Sequence, residues 1–154
     1  MRIPRGLFTI VREAARHVLR RPVIGIAALA KTEDGRVVLI RRGDTGEWAM
    51  PGGTLEWGET LRDSIVRELL EEAGVDVLAL GDRPSVYSRP DRDLRFHAVT
   101  IVVTATVTAP LRPAVNPVEI LDVRLFRPDE IPRPLAYAGD DMFDHALADR
   151  GVWE

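Results

Sequence analysis

Two hydrophobic rhythms divide the chain. In the first, Leu61, Ile65, Leu69 and Ala73 recur at every fourth position, with Val66 and Leu70 widening the stripe. This spacing predicts an amphipathic helix over Thr60–Ala73. Thr60 is suited to cap its start, Asp63 sits three residues on in the capping-box position, and Gly74 supplies the stop. The second rhythm is that of strands. Val23–Lys31 reads as a buried strand, Thr32–Gly35 as a turn and Arg36–Arg42 as the return strand of a hairpin. Val37, Val38, Leu39 and Ile40 are apolar at both parities, which predicts cover on both faces.

Further along, Trp48–Met50 reads as a short extended piece ahead of Pro51. Val75–Leu80 and Ser85–Ser88 are strand pieces, Leu94–Thr108 is the longest β-type run, and Val118–Phe126 is another. Leu135–Arg150 ends in a helix through Met142, Phe143, Ala146 and Leu147. Strands flanking two main helices predict an α/β (α+β) chain, with a mixed sheet sandwiched between helices. Residues 22–154 form a single domain in this reading. Before it, residues 1–21 hold a basic amphipathic helix, with Phe8, Val11, Ala15 and Val18 at helical spacing. That helix is suited to pack on its own domain or to join a second copy as a homodimer.

Composition narrows the chemistry. The chain has 154 residues, 45% hydrophobic and 29% charged, as in an ordinary globular domain. A net charge of -3 argues against a DNA partner. No apolar run reaches membrane-spanning length and no secretory leader is visible, so no membrane partner and a cytoplasmic location are expected. With no cysteine, disulfides, thiolate metal sites and a Cys nucleophile are excluded. His17, His97 and His145 lie far apart, so a bound metal would rest on oxygen ligands and would be a hard ion.

The carboxylates concentrate in Gly52–Val75. At about 100° per residue, Glu68 and Glu72 are one turn apart with Glu71 on the same side, all beside the apolar stripe. They should face a cleft at the edge of the core, where like charges repel unless a cation sits among them. Mg²⁺, with Mn²⁺ as a substitute, suits such a site because it shares carboxylates, waters and substrate phosphates. Arg67 can pair with Glu71 four residues on. Gly52 and Gly53 let backbone approach an ion or phosphate closely, and Glu56 and Glu59 add oxygens near the helix start. Ions held there would bridge to a phosphate chain and activate a water.

These residues carry a family resemblance. Gly53, then Glu59 after five residues, then Arg67 after seven, followed by Glu68, Leu69, Leu70, Glu71, Glu72, Ala73, Gly74 and Val75, matches the Nudix box at each defined position. The resemblance implies an α/β/α sandwich and Mg-dependent hydrolysis of a nucleoside diphosphate linked to another moiety. It implies Glu68, Glu71 and Glu72 as metal ligands with the Gly53 carbonyl, Glu59 in support and Arg67 orienting a glutamate. Glu71 and Glu119 are the two alternatives for general base.

The expected partner is a nucleotide-containing small molecule. Arg89, Arg92 and Arg95 are candidates to meet phosphates or a ribose, and Tyr87, Phe96 and Trp57 to stack on a base. His97 reads as structural. Arg89–Val103 and Pro134–Tyr137 resemble Nudix members that act on ADP-ribose and related nucleotide sugars. A MutT-like nucleoside triphosphate pyrophosphohydrolase is the alternative, and a non-catalytic ADP-ribose sensor is the alternative of another class.

Overall fold

The computed structural model describes residues 21–93 and 95–154. The helix expected over residues 1–21, and the dimer role expected of it, therefore lie outside the described residues, Arg21 excepted. The elements run β1 (Val23–Thr32), β2 (Val37–Arg42), β3 (Trp48–Ala49), β4 (Gly52–Thr54), α1 (Leu61–Ala73), β5 (Val77–Leu80), β6 (Ser85–Tyr87), β7 (Ala98–Val107), β8 (Ile120–Phe126), a 3₁₀ turn (Ala136–Ala138) and α2 (Asp140–Leu147). This is the expected mixed sheet with two helices. No helix among the described residues is long and apolar enough to cross a membrane.

The sheet departs from the expected hairpin in one informative way. β1 and β2 pair only at their turn, Lys31 opposite Val37. From there they splay. β1 runs parallel to β7 over its whole length, from Val23–Ala98 to Thr32–Val107, while β2 pairs antiparallel with β8. The gap between them is filled by the segment that follows. β3 pairs with β2, and β4 pairs with β1 through Gly52, Gly53 and Thr54. Between them Pro51 cannot donate to a ladder but accepts from Ala28 N at 3.0 Å. Gly52 and Gly53 thus lie in a strand against β1.

Both faces of β2 are covered, as its continuous apolar run predicts. Val38 and Ile40 join Ala28, Ile65, Leu69 and Ala73 in the core under α1. Val37 and Leu39 join Leu29, Tyr87, Leu135 and Phe143 in the core under α2. α1 is narrower in its packing than the sequence stripe suggested. Ile65, Leu69 and Ala73 are buried, but Leu61, Val66 and Leu70 are about two-fifths exposed. The rest of the buried face belongs to Ser64, Glu68 and Glu72. Thr60 caps the helix by accepting from Asp63 N, and Gly74 ends it in the left-handed region at φ 64°. β7 starts at Ala98, later than the apolar run suggested.

Candidate functional site

The splay of β1 and β2 and the insertion of β4 bring Gly52 and Gly53 beneath α1. A Cβ on Gly53 would stand 2.2 Å from Glu68 Oε1, so the carboxylate lies directly against this backbone. A Cβ on Gly52 would meet Ile26 O at 2.1 Å and Ala27 Cα at 2.6 Å. Only glycine allows both approaches. Around them opens a cavity of about 560 Å³ lined by Gly53, Arg67, Glu68, Glu71, Glu72 and Glu119, among others.

Glu72 is 7% exposed and Glu68 8%, unusual burial for charged groups on a surface helix. Each has a partner. Glu72 Oε1 accepts from Arg42 Nη1 at 2.9 Å, and Oε2 accepts from Gly52 N at 2.8 Å. Glu68 Oε1 accepts from Arg67 Nη1 at 2.9 Å. The Arg67 guanidinium also donates to both oxygens of Glu59, at 2.7 and 3.0 Å, and to Glu71 Oε2 at 3.4 Å. Arg42 reaches across to Glu119 Oε1 at 3.1 Å. Two arginines therefore gather five glutamates from the β4–α1 loop, α1 and the turn before β8.

The electrostatics follow from this crowding. Burial pushes the Glu72 carboxyl up to about 8, with Glu68 and Glu119 adding repulsion and the Gly52 N–H and Arg42 opposing it. Burial likewise raises Glu68, against the pull of Arg67. Glu59 goes the other way, held at about 2 chiefly by its hydrogen bonds from Arg67.

Among the described residues no three acidic or histidine side chains already converge on one point; the carboxylates are turned to Arg42, Arg67 and the Gly52 N–H. The donor chemistry nonetheless fits a hard divalent cation. Five carboxylates share two guanidiniums, a formal charge of −5 + 2 = −3, and the candidate ligand atoms are all oxygens.

The residues proposed for substrate contact divide. Arg92, Arg95 and Phe96 line the cavity; Arg89 and Tyr87 do not. Tyr87 is corrected to a core residue, 1% exposed, with its hydroxyl 3.1 Å from His145 Nδ1. Arg89 turns to Asp91 and Glu154 instead. Arg92 is at the wall, but its guanidinium is already committed to Asp141 at 2.9 and 2.8 Å and to Glu154 at 3.1 and 2.6 Å. Trp57 is fully exposed and does not line the cavity. His97 Nε2 lies 2.8 Å from Ser88 O, in keeping with a structural role.

Sequence reasoning gave no role to two cavity residues, Arg42 and Tyr137. Arg42 had a readable signal, since it shares parity with Val38 and Ile40 and so faces α1. Tyr137 was marked only by the resemblance of Pro134–Tyr137, and no local pattern gives its direction, which depends on positive backbone φ angles at 137 and 138.

The NUDIX domain family profile matches residues 19–146. An ADP-ribose pyrophosphatase of Methanocaldococcus jannaschii is 37% identical over 84 residues, covering 53% of this chain and 48% of that protein. A MutT-like protein of Streptomyces ambofaciens is 38% identical over 71 residues, covering 46% of each. The chain thus spans about half the length of these curated relatives. Among solved structures, a MutT Nudix hydrolase from Burkholderia pseudomallei superimposes with a TM-score of 0.66 at 29% identity, covering 81% of this chain and 98% of that one.

Proposed function

We infer from the chain's place in the family, for it belongs to the Nudix hydrolases, that it cleaves the pyrophosphate of a nucleoside diphosphate linked to a second moiety, ADP-ribose or a related nucleotide sugar. The observation that carries this reading is the pair Glu68 and Glu72, both buried, on the cavity-facing side of one helix. Members of this family generally use a divalent metal, and Mg²⁺ is the ion proposed here. Glu68, Glu72 and Glu71 would hold it with the Gly53 carbonyl. When bound it would polarise a phosphoryl oxygen and lower the pKa of a water.

The chain's own groups do the rest. Arg67 keeps Glu59, Glu68 and Glu71 in one array, so their carboxylates are placed before substrate arrives. Glu71 and Glu119 both line the cavity and are the two candidates for the base that takes a proton from the attacking water. Both Glu119 oxygens are engaged, by Arg42 at 3.1 Å and by Asn116 at 3.4 Å. Glu71 has one oxygen held only at 3.4 Å and the other without a hydrogen bond among the described residues. Glu71 is therefore the proposed base, with Glu119 setting Arg42. The partner in this reading is a small nucleotide, in the cytoplasm, and neither DNA nor a membrane.

The leaning to ADP-ribose is supported by the name of the M. jannaschii relative, and MutT-like hydrolysis of a nucleoside triphosphate by that of the S. ambofaciens relative. A panel of nucleotide sugars, nucleoside triphosphates and dinucleoside polyphosphates, with products identified and chelator controls, decides between them. AMP and ribose 5-phosphate from ADP-ribose are the expected products. Binding of ADP-ribose with no turnover of any compound would overturn the enzyme reading.

A further inference from the structure

Beyond the glutamates, the cavity is lined by Arg95, Phe96 and Tyr137, contributed by two separate segments. The Arg95 guanidinium lies 4.1 Å from the centre of the Tyr137 ring and 5.1 Å from that of Phe96. Arg42, which holds Glu72, is 5.7 Å from the same Tyr137 ring. A continuous path therefore leads from the carboxylates through Arg42 to Tyr137.

Tyr137 is held in place at a conformational cost. Its φ is 58° and that of Ala138 is 50°, both in the left-handed region that side chains with a Cβ disfavour. Such backbone persists where the surroundings over-determine it, and it gathers at ligand clamps. Here the Tyr137 hydroxyl donates to Asp44 Oδ2 at 2.6 Å, and Arg95 Nη1 donates to the same oxygen at 3.1 Å. Arg95 also grips Asp93, from Nη2 at 2.8 Å and from Nε at 3.0 Å. Arg42 also reaches Asp44, its Nε 3.4 Å from Oδ1, so two guanidiniums face the two carboxylates and the formal charge of this corner is +2 − 2 = 0. A further phosphate would need a cation not already paired there. A neutral planar ring would not, and it would find an aromatic face backed by a flat cation.

We propose that Tyr137, backed by Arg95, is the platform on which the nucleobase of the substrate stacks. The proposal rests on the nucleotide reading above and adds which end of the cavity takes the base. Equilibrium binding of AMP and of ribose 5-phosphate, measured by calorimetry in Mg²⁺ buffer on the full chain, separates base from sugar phosphate without any turnover. Tyr137→Ala is expected to weaken AMP about tenfold or more, the loss typical of removing one base–aromatic stack, and to leave ribose 5-phosphate unchanged. Tyr137→Phe, which keeps the ring, is expected to bind AMP as the wild type does. If Tyr137→Ala loses its circular-dichroism signature, Tyr137→Leu is read in its place with the same expectation. The proposal is overturned if AMP affinity survives loss of the ring, if both ligands weaken equally, or if the wild type binds AMP no better than ribose 5-phosphate. Ring-dependent AMP binding in a protein that hydrolyses nothing would sink the enzymatic reading and leave the platform standing.

Discussion

Arg42 Nη1 donates to Glu72 Oε1 at 2.9 Å, joining the end of β2 to the last turn of α1 across thirty positions of sequence. The same guanidinium sends Nη2 to Glu119. Arg42→Met leaves three carboxylates, Glu72, Glu119 and Asp44, without this arginine, the first of them buried. The expected outcome is a loss of about 1–3 kcal/mol in denaturant-measured stability and lower turnover. Arg42→Lys should recover only part of either, since a single ammonium cannot fork to two partners.

Glu68→Gln and Glu72→Gln test the proposed metal set. Each keeps the shape of the side chain and removes a negative donor, so turnover at saturating Mg²⁺ should fall at least about a hundredfold with the far-UV spectrum unchanged. Wild-type-like rates in either variant would remove that residue from the ligand set.

Gly52→Ala and Gly53→Ala should fail for different reasons. At Gly52 the new methyl meets backbone, Ile26 O at 2.1 Å, so the strand itself must move and the midpoint of unfolding should drop sharply. At Gly53 it meets the mobile end of Glu68, 2.2 Å away. Stability should change little while activity is lost. Equal stability losses in the two variants would contradict this division.

Leu69 is fully buried on the one face of α1 that packs on the sheet. Leu69→Ala should cost about 2–5 kcal/mol in urea unfolding. Leu70→Ala, at a position 40% exposed, should cost far less.

Glu154 ties the 88–92 segment through Arg92, Ser88 N and Arg89 N. Hydrogen bonding to Arg92 first, and to those backbone groups, holds its carboxyl at about 2 instead of 4.5. The folded state therefore binds this proton more weakly than the unfolded chain. Its stabilisation is complete above pH 4.5 and is lost as pH falls toward 2. Urea titrations of wild type and Glu154→Gln should differ at pH 7 and converge over that interval.

Much of this was readable without coordinates because it is local. The helix over Leu61–Ala73, its Thr60 cap, its Gly74 stop and the alignment of Glu68 with Glu72 follow from helical periodicity and short-range hydrogen bonding. The two-sided cover of Val37–Ile40 follows from having no polar parity to turn outward. Tyr87 and Arg92 were less legible for a physical reason. An aromatic or an arginine beside a turn can serve a core or a ligand equally well, and only the positions of His145, Asp141 and Glu154 decided both.

What the chain determined by itself is the acidic helix and the glycines that precede it, since spacing within one element needs no partner to specify it. What only the tertiary structure decided is where the other elements deliver their charges and rings. The splay of β1 from β2 carries Gly53 under Glu68, Arg42 reaches Glu72 and Glu119 together, and positive φ angles at Tyr137 and Ala138 place a ring in the same cavity. Those relationships join residues far apart in sequence, and long-range pairing is set by the packing of the whole sheet, which no local pattern encodes.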